Sequence, residues 1–317
     1  MGSCLFNLGF VTKIYKRTEQ IRMATAIIFP GQGSQKVGMG QDHYDANPHF
    51  KNRIDSATEI LGYDLAGIMF EGPAEKLKQT KHTQPAIFVH SLALFETLDL
   101  EPDMTAGHSL GEFTALAAAQ ALSFEDALQL VSKRGSLMQE AGEKNPGTMA
   151  ALIGMKDEVV KDICERASNE IKQVVQAANF NCPGQVVISG SELAIDRALE
   201  IAKEEGCRLA KKLPVSGAFH TSLMEPAFEG LKESLTNVEI SDPVCPVYCN
   251  YTAQATNKAE QIRENLLNQL MNPVLWTQSV LQMNTDGADK YIEVGPGKVL
   301  RGLVKRTLKQ VEINGYE

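Results

Sequence analysis

Met104-Thr105-Ala106-Gly107-His108-Ser109-Leu110-Gly111-Glu112 is the stretch on which the fold turns. Residues 104–106 form a short apolar run suited to a buried strand, and the Ala-rich segment 112–121 behind them predicts a helix. Between the two stands Gly-x-Ser-x-Gly, whose small flanking residues permit a strained strand-to-helix turn that lifts a serine hydroxyl clear of a sheet. Strand, sharp turn and helix in this order indicate an α/β layer with Ser109 as candidate nucleophile. A helix starting at Leu110 would aim its N–H at an oxyanion formed on an acyl group held by Ser109.

Outward from this turn, residues 24–29 read as a second strand closed by Pro30 and Gly31, and 84–98 as a largely apolar helix. Ser123 with Asp126 three residues on predicts the capped start of a helix running to about Ala141. The rhythm changes near Gly147. Residues 148–155 read as a strand, 157–167 as a helix, 174–180 and 185–189 as two strands around an Asn-Cys-Pro-Gly turn, 192–205 as an amphipathic helix and 208–215 as a last strand. That β-α-β-β-α-β order is the ferredoxin-like unit. The expected organisation is a small domain, 147–217, inserted into a larger α/β domain made of 23–146 and 218–317.

Composition sets the outer limits. A chain of 317 residues, 43% hydrophobic, can bury a large core. Its 31 Lys and Arg against 39 Asp and Glu give a net charge of −8, which argues against a general nucleic-acid binder. The six cysteines show no C-x-x-C spacing, so neither a metal site nor a disulfide framework is expected, and free thiols suit a reducing cytoplasm. No window approaches the roughly 20 apolar residues of a membrane span. In residues 1–22 the positive charges follow the short apolar stretch, the wrong order for a secretory signal, and Phe6 breaks the myristoylation pattern. These residues read as a dispensable extension before Met23, and a monomer is the default expectation.

A serine alcohol needs a base, and histidine suits the task at neutral pH. Of six histidines, His220 follows Ser216-Gly217-Ala218-Phe219, where the inserted domain rejoins the large one and a cleft is expected. His108 adjoins Ser109, but successive side chains at such a turn diverge. Arg134 has Leu130, Val131, Leu137 and Met138 as its helical neighbours, which places a guanidinium on an apolar face. Burial there requires an anionic partner, either a protein carboxylate or a ligand carboxylate that the planar fork can grip. The glycine-rich run 30–35 fits neither nucleotide pattern, yet it lets backbone approach a substrate and offers the Gln32 amide as a second oxyanion donor. The run 298–309 carries five positive charges and no negative one, a candidate docking surface for an anionic partner.

Together, Gly31-Gln32-Gly33-Ser34-Gln35, Gly107-His108-Ser109-Leu110-Gly111-Glu112, Arg134, Asn179-Phe180-Asn181-Cys182-Pro183-Gly184-Gln185, Gly217-Ala218-Phe219-His220 and Glu293-Val294-Gly295-Pro296-Gly297 resemble the malonyl-CoA:acyl carrier protein transacylase family. The likeness runs from Met23 to about Lys309. It implies an α/β-hydrolase-like large domain, a ferredoxin-like small domain and a site between them. By position, Ser109 matches the family nucleophile, His220 its base, Arg134 the clamp for a free carboxylate, and Gln32 and Leu110 the oxyanion amides. Gln269 matches the residue whose backbone carbonyl orients the histidine, and Gln84 and Asn181 match polar positions lining the site. Phe219 belongs to an Ala-Phe-His form associated with malonyl selection, while Cys182 stands where many relatives carry serine. The implied activity is malonyl transfer from malonyl-CoA to the phosphopantetheine thiol of acyl carrier protein, through a malonyl-serine, in fatty acid biosynthesis. Coenzyme A is then part of a substrate, and neither cofactor nor metal is called for. A serine hydrolase is the enzymatic rival, but Asp157 and Asp162, between Ser109 and His220, fall in the inserted domain and make poor triad acids. A non-catalytic binding scaffold is the rival from another class.

Overall fold

A computed structural model describes residues 24–215 and 217–317, so the expectation for residues 1–22 lies outside the described residues. Its strands in chain order are β1 (Ala24–Phe29), β2 (Met104–Gly107), β3 (Thr148–Ile153), β4 (Val175–Cys182), β5 (Gln185–Gly190), β6 (Leu209–Lys212), β7 (Val247–Tyr248), β8 (Ala255–Thr256), β9 (Ala288–Val294) and β10 (Glu312–Tyr316). They form a mixed α/β architecture with two sheets.

The main sheet runs β10-β9-β1-β2-β7-β8, all pairs parallel except the antiparallel edge pair β7–β8. Strand β1 alternates as its pleat requires. Ile27 and Phe29 enter one buried cluster with Phe88, Leu116 and Val131, while Ala26 and Ile28 enter another with Trp276, Tyr291 and Leu303. Both faces are therefore covered by helices, the condition under which a mostly parallel sheet is stable. The helices Thr80–Glu96, Gly111–Ala118 and Phe124–Lys144 supply the first cover, and Trp276–Thr285 and Val299–Thr307 the second.

The second sheet is antiparallel in the order β4-β5-β3-β6, with the helices Asp157–Ile171 and Glu192–Glu204 packed on it around a core of its own. The chain order β-α-β-β-α-β is thus present. Strand β6 stops at Lys212, short of the expected 215, and Leu213 and Val215 face the cleft between the sheets. Asn181, expected in a turn, belongs to β4. That strand also joins the two units: Phe180 N–H donates to Val274 O at 2.9 Å, and Val274 N–H to Ala178 O at 2.8 Å.

The register Phe29↔Gly107 sets the carboxyl ends of β1 and β2 side by side. The loops carrying Gln32 and Ser109 therefore open into the same crevice, the usual location of ligand sites in open α/β sheets.

Candidate active site

Ser109 occupies the turn between β2 and the helix Gly111–Ala118 with φ of 52°, a conformation that L-residues adopt only under constraint. The flanking glycines are a steric requirement: a Cβ on Gly107 would collide with the carbonyl of Gly111, and one on Gly111 with the carbonyl of Phe29. Asn250 braces the turn from both sides. Its Oδ1 accepts the Ser109 N–H at 2.6 Å, and its Nδ2 donates to Gly107 O at 2.7 Å. The Ser109 amide is thereby occupied. No acceptor among the described residues meets the N–H of Leu110 or of Gln32, which leaves both available to an oxyanion.

His220 Nε2 lies 2.8 Å from Ser109 Oγ, and its Nδ1 lies 2.9 Å from the backbone oxygen of Gln269. A carbonyl can only accept, so Nδ1 carries the proton and Nε2 presents its lone pair to the serine hydroxyl. Burial, followed by the nearby charge of Arg134, pushes the imidazole down to about 3, so it is neutral and able to act as a base at neutral pH. His220 itself has φ of 60° and is held by Gln176 Nε2, which donates to its carbonyl at 3.0 Å. The small sheet thus helps position this imidazole. His108 points away, with Nε2 2.8 Å from Asn181 Oδ1.

Arg134 is 1% exposed, as its apolar helical face predicts. Its Nη1 donates to Gln84 Oε1 at 2.9 Å, and its Nη2 to Gln269 Oε1 at 2.9 Å and to Ser109 Oγ at 3.2 Å. The Nε–H has no acceptor, and no carboxylate among the described residues forms an ion pair with it. Burial draws the guanidinium down to about 10, which still leaves it charged at neutral pH. Of the two partners expected for Arg134, the protein carboxylate is therefore absent at ion-pair distance.

Ser109 and His220 open on a cleft of about 250 Å³ between the sheets, with Arg134 behind the serine hydroxyl. Gln32, Leu110, Gln84, Asn181 and Phe219 line it beside Ser109 and His220. Val299, Leu303 and Arg306 of the helix Val299–Thr307 close another side. In the basic run, Lys298, Lys305, Arg306 and Lys309 are exposed, whereas Arg301 is committed to Glu293 and Glu317.

The acyl transferase domain family matches residues 26–316. A malonyl CoA-acyl carrier protein transacylase of Bacillus subtilis is 45% identical over 298 residues, covering 92% of this chain and 94% of the relative. The chain belongs to this family of acyltransferases. Among solved transacylase structures, that from Coxiella burnetii superimposes with a TM-score of 0.89 at 41% identity, covering 92% of this chain and 93% of that one. A malonyl-transacylase in complex with a type II PKS acyl-carrier protein matches with a TM-score of 0.89 at 39% identity, covering 92% and 96%.

Within the transacylase fold, sequence reasoning missed Asn250 and gave no role to Glu112 and Glu293, both quoted only as letters of their motifs. Asn250 carries no local signal, because it reaches Ser109 across 141 positions. Glu112 was visible only as the last letter of a motif. Glu293 is fully buried and accepts the N–H groups of Leu300 and Arg301 at 3.0 and 2.9 Å, anchoring the start of the helix that walls the cleft. A carboxylate at a helix N-terminus is the available clue there.

Proposed function

We propose that the chain transfers malonyl from malonyl-CoA to the phosphopantetheine thiol of acyl carrier protein through a malonyl-Ser109 intermediate, supplying fatty acid biosynthesis. The observation that carries this reading is a buried arginine fork, unpaired with any carboxylate of the described residues, touching the hydroxyl that His220 would deprotonate. Ser109 Oγ attacks the thioester carbon as its proton passes to His220 Nε2. The N–H groups of Gln32 and Leu110 hold the oxyanion, and the proton leaves with the coenzyme A thiol. The carrier thiol then attacks the malonyl ester by the reverse path. Arg134 receives the free carboxylate, and Gln269 O steadies the imidazolium in the place a triad acid would take. Phe219, on the residue before the base, limits the room beside the acyl α-carbon.

The large unit, 23–146 and 218–317, corresponds to an α/β-hydrolase-like domain, and 147–217 to a ferredoxin-like one, a reading supported by the two sheets and their separate cores. A monomer remains the default reading. The free cysteines suit the cytoplasm.

Incubation with malonyl-CoA followed by intact-mass measurement tests the reading. The chain should gain one malonyl group, and Ser109→Ala should gain none. Labelling that survives in Ser109→Ala would place the nucleophile elsewhere, and the absence of any adduct on the unaltered chain would favour a scaffold.

A further inference from the structure

Glu112 is the buried acid that the catalytic scheme leaves unused. It is 2% exposed, forms no ion pair among the described residues and does not line the cleft. Its Oε2 accepts two hydrogen bonds, from Asn250 N–H at 2.9 Å and from Gln269 Nε2 at 2.7 Å. The second of these constrains a residue that is used three times. Gln269 Nε2 also donates to Ser109 O at 3.1 Å, its Oε1 accepts from Arg134 Nη2, and its backbone oxygen faces His220 Nδ1.

An amide side chain has two nearly isosteric orientations, separated only by which neighbours donate and which accept. Turning the Gln269 amide over would press its NH2 against the Arg134 fork. It would also press its oxygen against Glu112 and the Ser109 carbonyl. With Glu112 in place, one orientation is strongly preferred. Without that acceptor, only the 3.1 Å contact to the Ser109 carbonyl and the bond from Arg134 itself still fix the amide, so the oxygen that aims Arg134 is held less firmly.

We propose that Glu112 is a positioning residue that sets the polarity of the Gln269 side chain and, through it, the aim of Arg134, so that selection of a carboxylated acyl group depends on an acid the substrate never touches. This inference rests on the malonyl-transfer reading.

Because both bonds converge on one oxygen, Glu112→Gln can keep them by placing its carbonyl there, while Glu112→Asp keeps the charge but withdraws it by a methylene. The test is kcat and KM for malonyl-CoA and acetyl-CoA in the unaltered chain and in both variants, with melting temperature recorded for each. The Gln variant should hold the malonyl-to-acetyl ratio of kcat/KM within about threefold, and the Asp variant should lower it by roughly tenfold or more, as expected for a lost charge-assisted contact. A ratio preserved in Asp, or lost in Gln, overturns the proposal, since the first denies Glu112 a role in selection and the second assigns that role to its charge. Should Asp not fold, Glu112→Met, which removes the acceptor at similar volume, takes its place: its ratio should fall roughly tenfold or more, and a preserved ratio overturns the proposal. Failure of the unaltered chain to transfer malonyl would instead sink the functional reading itself.

Discussion

Arg301 is 25% exposed at its side chain and meets two carboxylates of its own chain, Glu293 at 3.4 Å and Glu317 at 2.9 Å, whereas Arg134, 1% exposed, donates to amide oxygens and a hydroxyl and lies over the Phe113 ring. Burial makes an unpaired guanidinium more costly, so the deeper arginine should be the one with carboxylate partners if stability alone decided. The opposite arrangement holds. Arg301 fastens a helix to the sheet with carboxylates in direct contact, whereas Arg134 has no carboxylate at ion-pair distance, feels the buried Glu112 only from farther off, and reaches the Ser109 hydroxyl instead. The contrast supports the proposed reading in which Arg301 serves the fold and Arg134 is kept for a ligand.

The largest expected effect breaks the comparison at Arg134. Arg134→Ala should weaken malonyl transfer by about 1.5–3 kcal/mol, the scale of a charge-assisted hydrogen bond, with acetyl transfer far less affected. Lysine there should rescue only in part, because it offers a point charge in place of two parallel donors. The malonyl-to-acetyl ratio is the measurement, and an unchanged ratio would return Arg134 to the structural class with Arg301.

A second prediction uses pH. In the folded protein His220 is held neutral down to about 3, while an unfolded histidine titrates near its ordinary 6.5. The unfolded state therefore binds more protons between these values. Stability from this residue should rise with pH through that window, by up to roughly 1.4 kcal/mol per unit, and be fully present above 6.5. Arg134 opposes protonation of His220, so Arg134→Gln should move the acid limb of acetyl transfer to higher pH. Acetyl is the probe because it lacks the carboxylate. Arg301→Gln should leave that limb in place, and a shift with either variant alike would mean a general loss of packing.

The smallest effects belong to the Arg301 side. Arg301→Ala should cost on the order of 1 kcal/mol of stability by thermal melting, since Glu293 keeps its two backbone donors, and should leave acyl selection untouched. Charge reversal at the exposed Lys305 and Lys309 should raise KM for carrier protein, leave KM for malonyl-CoA largely alone, and lose effect at high salt. Equal changes in both constants would point to a damaged helix.

Sequence alone determined the elements and the chemistry types. Period-2 and period-3.6 patterns act within a dozen residues, so strand β1, the Ser123-capped helix and the β-α-β-β-α-β order were legible, as were the strained turn at Ser109 and the buried face of Arg134. The resemblance then assigned His220, Gln269 and the two amides by position. Only the tertiary structure decided how these groups meet. The β1–β2 register brings Gln32 beside Ser109, a strand of the inserted unit holds His220 through Gln176, and the helix Ala259–Gln269 delivers one glutamine to an imidazole, a guanidinium and a buried acid together. It also decided that Arg134 pairs with amides, because a side chain's partner depends on which distant segment packs against it, and no local pattern encodes that.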